Sequence, residues 1–407
     1  MPILFLIVFI DLVGFGLVIP LLPYYAERFA ASPVEMTVLF AVYSLMSMLA
    51  APLWGRLSDQ VGRRPVLMAS MLAAALAYLW LGLASALWMV FAARAFAGAC
   101  AGNIAAAQAY IADSTPPEER ARGMGMIGAA FGLGFIIGPV LGGVIAGNDM
   151  ATADLRTPAL IAAALSFVAF VGVIVVLPES RKAARSGRRR GRIAAAREAF
   201  ARPALARLLA VFFLVILAFS GMETTFAWWA MAQFGWGPQA IGFVFFYVGL
   251  LAAVMQGILI GPLIRRFGEQ RLLTGGLVML ALALCGLPFV RDVPGLLLAL
   301  SGQALGWGAA QPSLNSLISR GAAADEQGEV LGVSQSIGSL ARVLGPLLAG
   351  SLFALFGRGS PFFCGAALVC GAVVLGWRAP RGTVGPVGFG AAASRRPPPH
   401  RSPGAAE

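Results

Sequence analysis

The amino-acid sequence predicts an all-α integral membrane protein with twelve membrane-spanning helices. Hydrophobic residues make up 59% of the 407 residues, and the mean hydropathy is +0.83. A soluble core cannot hide that much apolar surface, whereas apolar stretches of about 18 residues or more are typical of helices that cross a bilayer. Charged residues amount to only 12% and concentrate in short segments between apolar runs, as the loops of a multi-pass membrane protein would.

Apolar runs long enough to cross the membrane follow one another along the chain. They are continuous and do not alternate with a period of two, which favours helices over the strands of a membrane barrel. The twelve runs cover residues 3–23, 35–54, 65–84, 87–110, 122–146, 158–178, 208–231, 239–261, 271–289, 295–318, 328–355 and 361–379.

The basic residues predict the orientation of the chain. Lys and Arg number 30, and most lie in loops on the side of the N-terminus. The loops of the other side hold Arg28, Arg156, Arg291 and Arg358. Because Lys and Arg in short loops favour the cytoplasm, we expect a multi-pass protein of a bacterial inner membrane with both termini cytoplasmic. Topology thus accounts for the net charge of +12, and no nucleic-acid partner is expected.

A basic segment divides the chain into six runs and six runs. We expect an N-terminal six-helix bundle over 1–178, a basic cytoplasmic linker over 179–207, a C-terminal six-helix bundle over 208–380 and a disordered cytoplasmic tail over 381–407. The linker is expected to lie on anionic lipid; a regulatory or partner-binding site is the alternative.

The two halves repeat one another. "GRLSDQVGRRP" (55–65) after the second run is matched by "GPLIRRFGEQR" (261–271) after the eighth. Asp59 corresponds to Arg265, and Asp113 corresponds to Arg320, so the repeat keeps the charges and reverses their sign. Two matching halves indicate a duplication and predict a substrate path at their interface, near the membrane midplane.

The segment 55–65 contains a candidate cytoplasmic latch. Its glycines permit a tight reversal of the chain, and its carboxylate can accept hydrogen bonds from helix N-terminal amides or from an arginine. A latch between two conformations and a plain topology signal from the arginines are equally compatible with these residue types. The candidate latch residues are Gly55, Asp59, Gly62, Arg63 and Arg64 of this segment, together with Asp113 after the fourth run.

Several motifs together resemble the major facilitator superfamily. "GRLSDQVGRRP" resembles the family's loop between helices 2 and 3, and "RAFAGACAGN" (94–103) resembles its helix-4 motif. "DLVGFGLVIPLLP" (11–23) and "AYIADSTPPEERARGMG" (109–125) are similar to tetracycline-type exporters of the twelve-helix drug:proton antiporter branch. The resemblance extends through residue 380 and implies proton-coupled export by alternating access between two pseudo-symmetric bundles.

"GLGFIIGPVLGG" (132–143) resembles the helix-5 motif of antiporters. Glycines at a spacing of four permit close packing of helices, and a proline removes one backbone hydrogen bond and permits a bend. The motif residues are Gly134, Gly138, Pro139, Gly142 and Gly143.

The sequence departs from tetracycline exporters at substrate-associated positions. The resemblance implies acidic residues in helices 3 and 9 and a glutamine in helix 2, but these positions hold Ala77, Leu280 and Ser47. This difference argues against tetracycline itself as the substrate.

Four ionisable residues lie inside apolar runs. A charge at the bilayer centre costs about 2.5–3.5 kcal/mol on insertion scales and is functional by default. We interpret Asp11 and Glu223 as proton-coupling residues, and Arg94 and Arg342 as counter-charges or substrate ligands. Asp11 is expected to pair with Arg94, and Glu223 with Arg342. A packing role for Asp11, bonded to a hydroxyl or amide, is the alternative.

Hydroxyl and aromatic residues follow Glu223 in "FSGMETTFAWWA". Such a surface suits a lipophilic cation, although Trp228 and Trp229 also fit an interfacial aromatic belt. The candidate cavity-lining residues are Asn103, Gln108, Gln303, Gln311, Asn315 and Phe226.

The sequence has no nucleotide-phosphate loop, no metal-ligand spacing among its 4 cysteines, and 1 histidine. We therefore expect no metal and no cofactor, a proton gradient as the energy source, and no enzymatic activity. The predicted protein is a monomeric secondary exporter of small lipophilic compounds, cationic drugs among them, whose partners are its substrate, protons and lipid. A same-fold uptake symporter or a metabolite or organic-anion transporter is the alternative, followed by a sensor that does not transport.

Overall fold

The computed structural model describes residues 2–116, 120–149, 152–180, 192–322 and 326–377. Twelve helices in these ranges are long and apolar enough to cross a membrane, which confirms the predicted fold class. Spans 1 to 12 are Ile3–Arg28, Pro33–Val61, Arg63–Gly82, Leu87–Ser114, Gly123–Ala146, Arg156–Val176, Pro203–Phe234, Pro238–Phe267, Glu269–Phe289, Val293–Arg320, Gln327–Phe356 and Ser360–Trp377. A linker helix, Arg192–Ala201, precedes span 7. The predicted tail and residues 181–191 of the predicted linker lie outside the described residues.

Glycines reverse the chain at equivalent points of the two halves. Gly62 joins spans 2 and 3 with a φ of +107°, and Gly268 joins spans 8 and 9 with a φ of +78°. This left-handed region is accessible to glycine and disfavoured for residues with a Cβ. Both reversals therefore depend on the glycines that the sequence repeats after the second and eighth apolar runs.

Span 4 is broken, whereas the sequence predicted one continuous helix over 87–110. It consists of Leu87–Ala99 and Asn103–Ser114, separated by residues 100–102. The break leaves the Ala99 carbonyl without its helical partner, and the indole N–H of Trp54 donates to that carbonyl at 2.7 Å. A buried backbone group needs such a replacement in the membrane. The tertiary contact thus permits a break that local hydrophobicity did not reveal.

The same pairs of spans pack together in each bundle. Span 1 packs on spans 5 and 6, and span 7 packs on spans 11 and 12. Spans 3 and 6 form a pair that is repeated by spans 9 and 12. The bundles meet along two seams, formed by spans 2 and 11 and by spans 5 and 8. These seams enclose a cleft between the two bundles.

The cleft is closed on one side of the membrane. We call the side that carries Arg63 and Arg320 the basic side, and the other the opposite side. On the opposite side, the backbone N–H of Gln239 donates to Gly147 at 3.2 Å, and the hydroxyl of Tyr24 donates to the Trp236 carbonyl at 3.1 Å. Hydrogen bonds therefore join the bundles at the ends of their spans on this side.

On the basic side, glycines of the same four spans have open space around them. No described atom lies within 4 Å of the position that a Cβ would occupy at Gly55, Gly128, Gly132, Gly261 or Gly332. These glycines belong to spans 2, 5, 8 and 11, the spans that form the seams. The cleft is therefore open toward the basic side.

Candidate functional site

Asp11 lies in span 1 and is 5% exposed. Its carboxylate accepts a hydrogen bond from the Ser166 hydroxyl at 2.9 Å and another from the Asn103 side-chain amide. A hydroxyl and an amide are the partners expected if Asp11 has a packing role, the alternative given in the sequence analysis. The predicted ion pair with Arg94 is not formed in the described part of the chain, where Arg94 has another neighbour.

A cavity of about 60 Å³ adjoins Asp11 at the break of span 4. This volume has room for water, and the hydroxyl oxygen of Ser70 in its wall is buried without a hydrogen-bond partner among the described residues. The polar residues that line the cavity are Asp11, Tyr43, Ser70, Tyr78 and Asn103. Asn103, a candidate cavity-lining residue of the sequence analysis, lies in the wall of this cavity. The tyrosines and Ser70 were not among the predicted residues.

Arg94 is 3% exposed and lies over an aromatic ring. Its guanidinium carbon is 4.3 Å from the centroid of the Tyr43 ring, which belongs to span 2. A cation over an aromatic face is stabilised by the ring quadrupole, and more so when it is desolvated. The Nε atom of Arg94 is buried and has no hydrogen-bond partner in the described residues. Arg94 is therefore held by Tyr43, and its Nε–H donor is unused.

Glu223 and Arg342 face each other across the C-terminal bundle. Glu223, on span 7, is half-buried, whereas Arg342, on span 11, is exposed. The two charges are close enough to interact electrostatically, but they form no direct ion pair in the described residues. Arg342 also interacts electrostatically with Tyr43 of the other bundle. Glu223 and Arg342 are thus neighbours in the cleft, but their side chains are not in direct contact as an ion pair.

The remaining cavity-lining candidates have diverse surroundings. Gln303 is 4% exposed, and Asn315 is half-buried. The side-chain oxygen of Gln311 is buried without a partner among the described residues. Gln108 is exposed on span 4. Phe226 is 3% exposed and packs on Trp229 and Phe245, so it belongs to the packed interior of the C-terminal bundle.

The two tryptophans after Glu223 do not form a lipid-facing belt. Trp229 is 2% exposed and packs edge-on against Phe362, with ring centroids 5.6 Å apart. Trp228 stacks on Phe353 and donates its indole N–H to Glu27 of span 1 at 3.1 Å. Trp228 therefore helps to close the cleft on the opposite side, which the belt interpretation did not foresee.

The candidate latch residues converge at the basic side of the N-terminal bundle. The guanidinium of Arg63 donates to Asp59 at 2.6 Å and to Asp113 at 2.8 Å, which links spans 2, 3 and 4. The side chain of Arg64 donates to the carbonyl oxygen of Val173 at the end of span 6. Gly55 lies one turn before Asp59 and has open space around it. These contacts join four spans of a single bundle.

Glu179 completes this network, and the sequence did not single it out. Its carboxylate accepts hydrogen bonds from the backbone N–H of Arg63 at 2.9 Å and of Arg64 at 3.2 Å. The first N–H groups of a helix have no partner within the helix, and a carboxylate there also favours the helix dipole. A Cβ at Gly62 would lie 2.7 Å from the Glu179 carboxyl carbon. Gly62 is therefore required both for its backbone angle and for this approach.

One ion pair of this network recurs in the C-terminal bundle with its charges reversed. Glu269, at the start of span 9, accepts from Arg320 at 3.2 Å and from the Ser316 hydroxyl at 2.8 Å. In the N-terminal bundle the equivalent pair is Arg63 at the start of span 3 and Asp113 at the end of span 4. The sign reversal noted in the sequence thus extends to a complete ion pair.

The helix-5 motif packs on two partners. A Cβ at Gly134 would lie 2.9 Å from Leu12, and one at Gly138 would lie 2.6 Å from Gly16, so this face contacts span 1. Gly142 also faces span 1, where it contacts Leu17. Gly143 and Pro139 face span 8, where a Cβ at Gly143 would lie 2.6 Å from the Pro238 carbonyl oxygen. The motif therefore joins its own bundle to the seam with the other bundle.

Comparison with known proteins relates this architecture to transporters. Residues 4–346 match the family model of the Major Facilitator Superfamily. The class C tetracycline resistance protein of Escherichia coli is 33% identical over 372 residues, covering 88% of this chain and 91% of that protein. Multidrug resistance protein 2 of Bacillus subtilis (strain 168) is 29% identical, covering 89% and 91%. The crystal structure of the human organic anion transporter MFSD10 (TETRAN) has a TM-score of 0.69 and 27% identity, covering 92% and 98%.

The matched region extends from span 1 into span 11 and includes the latch residues, the broken span 4 and the glycine motif of span 5. The resemblance inferred from the motifs is thereby confirmed. With twelve spans and relatives of this kind, the chain is a multi-pass membrane transporter and belongs to the Major Facilitator Superfamily.

Proposed function

We propose that the protein is a proton-coupled exporter of small lipophilic compounds. One observation carries this proposal: the two acidic residues at membrane depth, Asp11 and Glu223, belong to opposite bundles around a cleft that opens to one side only. The names of the relatives, tetracycline resistance and multidrug resistance proteins, support export of a drug-like compound. The charge distribution supports a cytoplasmic basic side.

Transport by alternating access requires the cleft to close on the basic side and open on the opposite side. The free space around Gly128 and Gly132 of span 5 and Gly332 of span 11 is compatible with such an approach, because small residues let helix backbones come close together. On the opposite side, the hydrogen bond from Trp228 to Glu27 would break during the same step. The two ends of the seams thus provide alternative sites of closure.

The two acids differ in access. Asp11 accepts hydrogen bonds from neutral donors and adjoins a cavity with room for water. Water in this cavity can deliver a proton to the Asp11 carboxylate. Glu223 is half-buried near Arg342, where substrate or a proton can compete for its charge. We propose that Glu223 couples proton and substrate binding and that Asp11 responds to the conformational change.

The substrate-associated acids implied by tetracycline exporters are absent here. Ala77 is 2% exposed and Leu280 is 1% exposed, so both are packed between helices and line no polar surface. We therefore propose lipophilic substrates other than tetracycline.

Proton movement in energised everted vesicles tests the proposal. Lipophilic cations, tetracycline and organic anions would be added in turn while a dye reports the pH gradient. We expect at least one lipophilic compound to release protons through the protein, and we expect Glu223→Gln to reduce this release to the background of vesicles without the protein. Asp11→Asn is expected to reduce it similarly, whereas Asp292→Asn serves as the matched control. Asp292 is an exposed helix-capping residue on the opposite side, and asparagine retains the cap.

The outcomes separate the alternatives. Proton uptake together with substrate would indicate a symporter, and substrate binding without any proton movement would indicate a sensor. A folded protein that releases no protons with the whole panel would contradict the exporter proposal. Equal responses of the Glu223→Gln and Asp292→Asn variants would contradict the assigned role of Glu223.

A further inference from the structure

Arg342 is the accessible cation of the cleft. It is exposed although protein atoms surround it on several sides, as expected for a residue in the wall of a deep cleft. Span 7 contributes Glu223 on one side of it, and span 2 contributes Tyr43 on the other. Arg94, the other intramembrane arginine, is 3% exposed and covered by Tyr43. A ligand in the cleft therefore meets Arg342 first.

The guanidinium of Arg342 has donors to spare. Its hydrogen bond among the described residues is a long one, 3.5 Å to the Ser339 hydroxyl. A guanidinium carries five N–H donors in a planar fork that matches a carboxylate or a similar anion. Since Glu223 lies nearby without forming a direct pair, most of these donors remain available to a ligand.

The acids of the cleft are less accessible than this cation. Asp11 is 5% exposed and already accepts two hydrogen bonds. Glu223 is half-buried, and the charge that interacts with its carboxylate is that of Arg342. Arg94 behind Tyr43 adds a second positive charge to the same region. The balance of accessible charge therefore favours an anionic group on the substrate.

An aromatic stack adjoins this charged region. Phe219 lies one helical turn before Glu223 on span 7, and its ring stacks on Trp307 of span 10 with centroids 3.9 Å apart. Residues four apart share a face of a helix, so the stack and Glu223 lie on the same side of span 7. Both rings are half-buried. Such rings offer a flat apolar surface to an aromatic ligand.

We infer that Arg342 binds the anionic group of the transported compound, and that the substrates are amphiphilic organic acids or zwitterions with an apolar aromatic body. This inference rests on the proposed transport function and narrows its substrate class. Glu223 then lies where it can bind a cationic group of a zwitterion.

Binding of three probes with the same aromatic body tests the inference. 2-Naphthoate, 2-naphthamide and 2-naphthylmethylammonium would be titrated calorimetrically into the full-length protein, purified in detergent. We expect naphthoate to bind at least about ten-fold more tightly than the amide, equivalent to about 1.4 kcal/mol. Arg342→Gln is expected to remove this preference, and Arg342→Lys is expected to retain part of it. Arg291→Gln, which removes an exposed arginine of the opposite side, is the matched control and should retain all of it.

Several results would overturn the inference. They are equal affinities for naphthoate and naphthamide, tighter binding of the ammonium probe than of naphthoate, an unchanged preference in Arg342→Gln, or no naphthoate binding at millimolar concentration. The experiment requires no proton gradient, so failure of this inference can be distinguished from failure of the export proposal. Proton release triggered by cations, together with no naphthoate binding, would contradict this inference and support the export proposal. Naphthoate binding through Arg342 without any proton movement would support this inference and contradict the export proposal.

Discussion

Replacing Gly138 by alanine is expected to destabilise the protein severely. The added Cβ would lie 2.6 Å from the backbone Cα and carbonyl carbon of Gly16, a distance that real Cβ contacts do not show. Backbone atoms of a packed helix cannot rotate away, so spans 1 and 5 would have to separate. Overpacking of a tight interface costs about 1–3 kcal/mol, and we expect the upper end of this range because both partners are backbone.

The melting temperature of the detergent-purified protein measures this effect, with Gly132→Ala as the matched control. Gly132 lies on the same span, and no described atom is within 4 Å of its Cβ position. Alanine is a better helix former than glycine by about 0.8–1.0 kcal/mol. The control is therefore expected to melt at the native temperature or slightly above it. If both variants melted as the native protein does, the tight packing of spans 1 and 5 would be contradicted.

Reversing the charge of Arg63 is expected to disrupt the network on the basic side. The Arg63 side chain is 13% exposed and bridges Asp59 and Asp113. In Arg63→Glu, a third carboxylate would take the place of the cation that holds these two. Removing one partner of a buried pair costs about 3–5 kcal/mol, and the cost here is lower because the side chains of Asp59 and Asp113 are 43% and 29% exposed to screening water. We expect a large fall in melting temperature and loss of any proton-coupled transport.

The C-terminal bundle shows how this damage can be repaired. There the equivalent positions hold Arg265, Glu269 and Arg320, and Glu269 pairs with Arg320 at 3.2 Å. The triple variant Asp59→Arg, Arg63→Glu, Asp113→Arg copies these signs into the N-terminal bundle. It adds positive charge to the basic side, so the predicted membrane orientation is retained. We expect the triple variant to recover most of the melting temperature lost in Arg63→Glu.

Melting temperature and transport of the two variants are to be measured side by side. A triple variant that is no more stable than Arg63→Glu would show that the two ion pairs are not interchangeable. A stable triple variant without transport would show that Asp59 is needed for more than the stability of its own bundle. Asp59 would then have a role in the conformational change.

The candidate site was only partly predictable from the sequence. Asp11 and Glu223 could be identified because a carboxylate inside an apolar run is unusual on its own. Glu179 could not, because it follows a span as any loop residue does, and its contacts with the start of span 3 bring together residues far apart in the chain. Tyr43 and Ser166 escaped notice for the same reason, since tyrosine and serine are ordinary residues in membrane helices.

The sequence by itself determined the twelve spans, the duplication of the chain and the membership in the family. Each of these follows from local properties, namely the length of apolar runs, the spacing of glycines and the order of motifs. The tertiary structure decided where span 4 breaks, that Arg94 lies over Tyr43 and is not paired with Asp11, and that Phe226 packs inside its bundle. These features depend on which helix faces meet, and helix packing is set by contacts between distant parts of the chain.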